Sequence, residues 1–147
     1  MAESIFNALA RDRGLPLRAE SAGVAALQRE RMAPNAVAVL EEIGIRPEPH
    51  RARQVRAEMI GTSDLVLAMS PRHVPELRRL SDRADKIYTL PEYVTGAVDK
   101  EGIPDPYGSP IIAYRASVRQ LFEYVELLMD RCVPWAARDP KRGARDY

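Results

Sequence analysis

The sequence predicts an α/β domain on a doubly wound parallel sheet, and three observations carry that expectation. Short apolar runs of strand length alternate along the chain with stretches whose apolar residues recur at helical spacing. Strands that alternate with helices join through right-handed crossovers into a parallel sheet covered on both faces, with ligands binding outside the carboxyl ends of the strands. Length sets the scale: 147 residues, 46% of them hydrophobic, suit one domain with a single core.

The chain opens inside a helix, where Ala2, Ile5, Phe6, Leu9 and Ala10 keep helical spacing until Gly14, which suits a left-handed helix end. Residues 17–22 read as a short strand. Residues 34–43 read as a helix with Val37, Leu40 and Ile43 on one face and Gly44 closing it. Residues 64–69 form a compact apolar run of strand length, and 86–90 form another. Between them Val74, Leu77 and Leu80 mark a helix whose start is set near Pro75, because a proline deeper inside would remove a hydrogen bond. Tyr114, Val118, Leu121, Phe122, Val125, Leu128, Met129 and Cys132 make a continuous stripe, a helix that seals one face. From Val133 periodicity is lost and charge is scattered, so the domain is assigned to 1–132 and residues 133–147 to a flexible tail with Trp135 near its start.

Composition removes several function classes. Lys plus Arg number 22 against 21 Asp plus Glu, a formal net charge of +1, which gives no bulk support to a grip on nucleic acid or anionic lipid. No apolar run nears the roughly 20 residues that span a bilayer. Met1-Ala2-Glu3-Ser4 lacks the basic start of a secretory signal, so a cytoplasmic location is expected. The one cysteine, Cys132, excludes an internal disulfide and a cysteine-based metal cluster. It falls at the end of a helix in an apolar register, away from the helix N-terminus or cation that activates a thiolate, and reads as a packing residue. His50 and His73 have no carboxylate or second histidine at ligand spacing, so no metal site is expected.

Two places remain for chemistry. In Ile103-Pro104-Asp105-Pro106-Tyr107-Gly108, Pro106 fixes its own φ and pushes Asp105 out of the helical region, holding a carboxyl at a defined angle. Such an aspartate serves as a general acid or simply builds a turn, since Asp, Pro and Gly are turn residues for backbone reasons of their own. His50 stands beside Arg51 and Arg53, a cluster that orients a loop near an anionic site or is a solvated charged turn.

Read together, Met1-Ala2-Glu3-Ser4-Ile5-Phe6, Glu20-Ser21-Ala22-Gly23, His50-Arg51-Ala52-Arg53-Gln54, Asp64-Leu65-Val66-Leu67-Ala68-Met69 and Asp105-Pro106-Tyr107-Gly108 resemble, in order and spacing, the low-molecular-weight protein tyrosine phosphatase family from Met1 to about Cys132. They resemble its first helix, its second strand and turn, its histidine-containing loop, its third strand and its catalytic acid loop; Pro49 stands where a Ser or Thr is more usual. Asp85-Lys86-Ile87-Tyr88-Thr89-Leu90-Pro91-Glu92-Tyr93-Val94-Thr95-Gly96, followed by Asp-Pro-Tyr-Gly, is most similar to the bacterial protein arginine phosphatase branch.

The resemblance implies covalent catalysis on a phosphorylated protein, with no metal or organic cofactor. Asp105 would protonate the leaving group and then deprotonate water, Tyr107 would form an aromatic wall beside the substrate, and Tyr93 would flank the same mouth. Ser21 and His50 would steady the site by hydrogen bonds or, equally, serve the fold alone. The family's nucleophile loop, Cys-x-x-x-x-x-Arg-Ser/Thr, and the strand before it would stand immediately upstream of Met1 and are not in the sequence. In the implied strand order 2-1-3-4 that strand is central, so a truncated chain, inactive by itself, with a gap beside residues 64–69 is expected. The alternative is a non-catalytic remnant acting at most as a binding module. Arsenate reduction on the same fold is disfavoured because its redox exchange uses further cysteines. The oligomeric state and the choice between phosphotyrosine and phosphoarginine are not written in these residues.

Overall fold

The computed structural model describes residues 1–27 and 29–138. In chain order the elements are helices α1 (Ala2–Asp12), α2 (Pro34–Glu42) and α3 (Ala57–Thr62), strand β1 (Val66–Ala68), helix α4 (Val74–Leu80), strand β2 (Ile87–Thr89), and helices α5 (Leu90–Thr95) and α6 (Ile111–Arg138). They form two compact units. One comprises Met1–Glu20, Ala33–His50 and the chain from Pro106; the other comprises Ser21–Met32 and Arg51–Asp105.

The first unit is helical. The stripe of α6 buries Tyr114, Val118, Leu121, Val125, Leu128, Met129 and Cys132, and both α1 and α2 pack on that helix. Against it α1 supplies Ile5, Phe6 and Ala10, and α2 supplies Ala36, Val39 and Leu40. Full burial of each aliphatic or aromatic side chain is worth about 1.5–3 kcal/mol, so this stripe dominates the unit's stability. Exposed ion pairs, Arg13 with Asp130 at 3.0 Å and Arg115 bidentate on Glu42 at 2.9 and 3.0 Å, tie α1 and α2 to α6 and add little.

Residues 133–138 are helical and not tail: α6 runs on to Arg138 with Pro134 inside it. Ala136, four residues past Cys132, is buried, so the stripe continues for one more turn. The rest of the expected tail, 139–147, lies outside the described residues. Residues 17–22 form no strand. The Asn7 carboxamide on α1 takes both backbone groups of Ala19, donating to its carbonyl at 3.0 Å and accepting its N–H at 2.8 Å, and thereby stands in for a sheet neighbour.

The second unit holds the sheet. β1 and β2 pair in parallel, in the register Val66–Ile87, Leu67–Tyr88 and Ala68–Thr89, and among the described residues these two strands are the whole sheet. Ile60, Ala68, Leu77 and Ile87 form its core, with Val24, Val55, Val66 and Val74 packed around them. Pro75 lies in the first turn of α4, where its missing N–H leaves no carbonyl unpaired. α5 begins where the sequence predicts the last strand residue: the Thr89 hydroxyl accepts the Glu92 N–H at 3.2 Å, a Thr-x-x-Glu start that turns the chain into helix at Leu90. Lys86 is buried and its Nζ donates to the carbonyls of Ser63 at 2.6 Å and Gly61 at 3.3 Å, closing the C-terminus of α3.

Candidate functional site

The approach to Asp105 is built within the second unit. Past α5, the Asp99 carboxylate folds the chain on itself, its Oδ1 accepting the N–H groups of Glu101 at 3.2 Å and Gly102 at 2.7 Å. Gly102 has φ +74°, and a Cβ there would lie 2.6 Å from the Met69 carbonyl oxygen and 2.8 Å from the Ser70 Cα. Only glycine lets the chain come this close to the residues after β1. Ile103 then buries its side chain and donates its N–H to the Met69 carbonyl at 2.7 Å. Asp105, exposed, follows two residues later. Its loop is thus fastened at the carboxyl end of a parallel strand, where open α/β sheets bind ligands.

Tyr93 and Ser21 belong to the same unit. Tyr93, half-buried on α5, packs its ring against Tyr88 with centroids 5.4 Å apart at a 50° tilt. The Tyr88 hydroxyl donates to the Asp85 carbonyl at 3.1 Å. The Ser21 carbonyl accepts the Arg53 Nε–H at 3.0 Å. Next to it the Gln54 carboxamide donates to the Val24 carbonyl at 2.7 Å and accepts the Ala26 N–H at 3.0 Å. Of the charged cluster at residues 50–53, Arg53 is thus bonded to this backbone. Gln54, which only the motif string contains, holds the same loop more fully.

His50 and Tyr107 belong to the first unit. His50 Nδ1 lies 3.6 Å from Glu3 Oε2, with both side chains largely buried. They line a cavity of about 90 Å³ together with Asn7, Arg11, Arg18 and Arg46. Arg11 reaches across to Glu48 at 3.0 Å. Tyr107 sits on a turn closed by the Ser109 N–H and the Pro106 carbonyl at 2.9 Å, with Gly108 at φ +78° as a type II turn requires. The residue is 67% exposed. The predicted residues therefore divide: Ser21, Tyr93 and Asp105 in one unit, His50 and Tyr107 in the other, with Pro106 linking Asp105 to Tyr107 along the chain.

Cys132 packs in the apolar stripe of α6, and burial pushes its thiol up to about 11. At neutral pH that leaves roughly one thiolate in ten thousand, which is no nucleophile. No three His, Cys, Asp or Glu side chains gather as metal ligands among the described residues. No described helix is long and apolar enough to cross a membrane. Asp99 and Gly102 are the residues sequence reasoning passes over. Their signal, Asp-x-x-Gly, is that of any surface turn, and the close approach to Met69 that gives it meaning is tertiary.

A sequence model of the family described as low molecular weight phosphotyrosine protein phosphatase matches residues 1–143. A protein-arginine-phosphatase of Bacillus subtilis is 35% identical over 129 residues, which cover 87% of this chain and 84% of that protein. One from Geobacillus stearothermophilus is 36% identical over 126 residues, 84% of this chain and 80% of that protein. Among solved structures, a low molecular weight protein tyrosine phosphatase from T. tengcongensis superposes with a TM-score of 0.83 at 36% identity, covering 88% of each chain.

Proposed function

This chain belongs to the low molecular weight phosphotyrosine protein phosphatase family, and from that membership we propose that its chemistry is the hydrolysis of phosphotyrosine or phosphoarginine in proteins through a phosphocysteine intermediate, with Asp105 as proton donor. A thiolate attacks phosphorus, and the P–O or P–N bond breaks as Asp105 gives its proton to the phenolate oxygen or guanidine nitrogen. Water then attacks phosphorus, its proton passes to the Asp105 carboxylate, and the P–S bond breaks to release phosphate and the thiolate. The observation that carries the reading is the exposed Asp105 on a loop bonded, through Ile103, to the end of β1. The resemblance to the family assigns aromatic contact with the substrate to Tyr107 and Tyr93, and loop support to Ser21 and His50.

Cys132, buried and with its thiol pushed up to about 11, does not supply the thiolate. The reading therefore includes that these 147 residues alone are inactive, and that activity needs the family's Cys-x-x-x-x-x-Arg-Ser/Thr loop with its central strand. β1 pairs only with β2 among the described residues, which is consistent with a further strand beside it. The state of Cys132 equally favours a second reading, a domain that binds phosphorylated protein without turnover.

The test joins that strand and loop ahead of Met1. The chain alone is expected to leave p-nitrophenyl phosphate untouched, and the joined protein to hydrolyse it. Asp105→Asn should lower kcat/KM on phenyl phosphate about 10²–10⁴-fold, the usual worth of general acid catalysis. Turnover by the chain alone that Cys132→Ser abolishes refutes the assignment of Cys132. An unchanged rate in Asp105→Asn removes Asp105 from its role. A joined protein that binds phosphopeptide without turnover establishes the second reading.

A further inference from the structure

We propose that Asp99 is a positioning residue for the acid loop, setting where Asp105 stands without touching substrate. The inference rests on the reading of Asp105 as proton donor. Two observations join to carry it. Asp99 Oδ1 gathers the N–H groups of Glu101 and Gly102 at 3.2 and 2.7 Å, which gives residues 99–102 a single backbone shape. That shape delivers Gly102 to within van der Waals contact of Met69 and Ser70, and so lets the Ile103 N–H reach the Met69 carbonyl at 2.7 Å. The two bonds of Asp99 use only the Oδ1 acceptor, which an amide oxygen supplies equally well. From Ile103 to Asp105 only Pro104 intervenes, with its fixed φ, and Pro106 restricts Asp105 from the other side. A displacement at Ile103 is therefore passed on to the carboxyl with little slack.

The test separates positioning from folding by leaving-group dependence. In the protein joined to the nucleophile loop, kcat/KM is measured on phenyl phosphate, whose leaving group needs a proton, and on 2,4-dinitrophenyl phosphate, whose leaving group departs unaided. Asp99→Ala is expected to lower the first about tenfold or more and the second by less than about twofold, within the span general acid catalysis commands. Asp99→Asn keeps the Oδ1 acceptor and restores most of the loss. In the 147-residue chain, Asp99→Ala speeds amide exchange at Ile103 while leaving Met129 in α6 unchanged. Equal losses on both esters, no loss on either, failure of Asn to rescue, or unaltered exchange at Ile103 overturns the proposal, provided that Asp105→Asn is selective for phenyl phosphate. If Asp105→Asn is itself unselective, the proton-donor reading fails and the role of Asp99 falls with it.

Discussion

Replacing Gly102 by alanine adds one methyl group at the point where the acid loop meets the end of β1, and the structure gives the size of the effect. At φ +74° an L-residue is disfavoured by about 1–2 kcal/mol. The new Cβ would start 2.6 Å from the Met69 carbonyl oxygen and 2.8 Å from the Ser70 Cα. Both are backbone atoms, so the loop must withdraw by several tenths of an ångström. The withdrawal stretches the 2.7 Å bond from the Ile103 N–H to that same carbonyl, a further loss of about 1 kcal/mol. The expected total is about 2–3 kcal/mol, a large share of the roughly 5–15 kcal/mol that holds a domain together. Gly61→Ala is the matched control: it lies inside α3 with nothing within 4 Å of the added methyl. There alanine is favoured by up to about 1 kcal/mol. Urea unfolding followed by circular dichroism should therefore move the midpoint down for Gly102→Ala and leave it unchanged or higher for Gly61→Ala. A Gly102→Ala midpoint equal to the parent's would refute the close-approach argument.

Lys86→Met should destabilise the protein by about 1–2 kcal/mol in the same assay, because it removes the bonds of the ammonium group to the Gly61 and Ser63 carbonyls, which water replaces only in part; a change below about 0.5 kcal/mol would count against the Lys86 cap on α3. Cys132 should react with a thiol reagent at pH 8 about a hundredfold more slowly in the native protein than in urea; equal rates would contradict its burial. Its thiol is pushed up to about 11, above the value for an unfolded chain, so the native state keeps a proton that the unfolded state releases. Stability should therefore decline as pH rises from about 9 through 11, a decline that Cys132→Ala diminishes.

The elements that were legible in the sequence are those whose side chains carry their own period. α6 announces itself through Tyr114 to Cys132, because burial on one stripe is written in local spacing, and β1 through its unbroken apolar run, although only Ala68 of its three residues is fully buried. Asp105 was legible as a loop residue because Pro106 acts on it directly. What stayed hidden depends on partners distant along the chain. Residues 17–22 have a strand-like composition, yet Asn7, twelve residues before Ala19, meets their backbone with a side chain. Leu90 fits a strand and a helix equally well, and the Thr89 cap decides for helix. Asp99 and Gly102 are ordinary turn residues until Met69 is brought beside them.

The threading of the helical unit sets a timetable for synthesis. The surface on which α1 and α2 pack is α6, which begins roughly 100 residues after α1 ends. At about 5–20 residues per second, α1 and then α2 emerge several seconds before their partner exists. Through that interval Ile5, Phe6, Val39 and Leu40 face solvent or whatever chaperone meets the nascent chain. The sheet unit has no such delay, since β1, α4 and β2 follow one another closely and can close as soon as Thr89 clears the ribosome. A chain stalled before Ile111 thus lacks the surface on which α1 and α2 bury their apolar faces, and the late arrival of α6 makes completion of the helical core the last event of its birth.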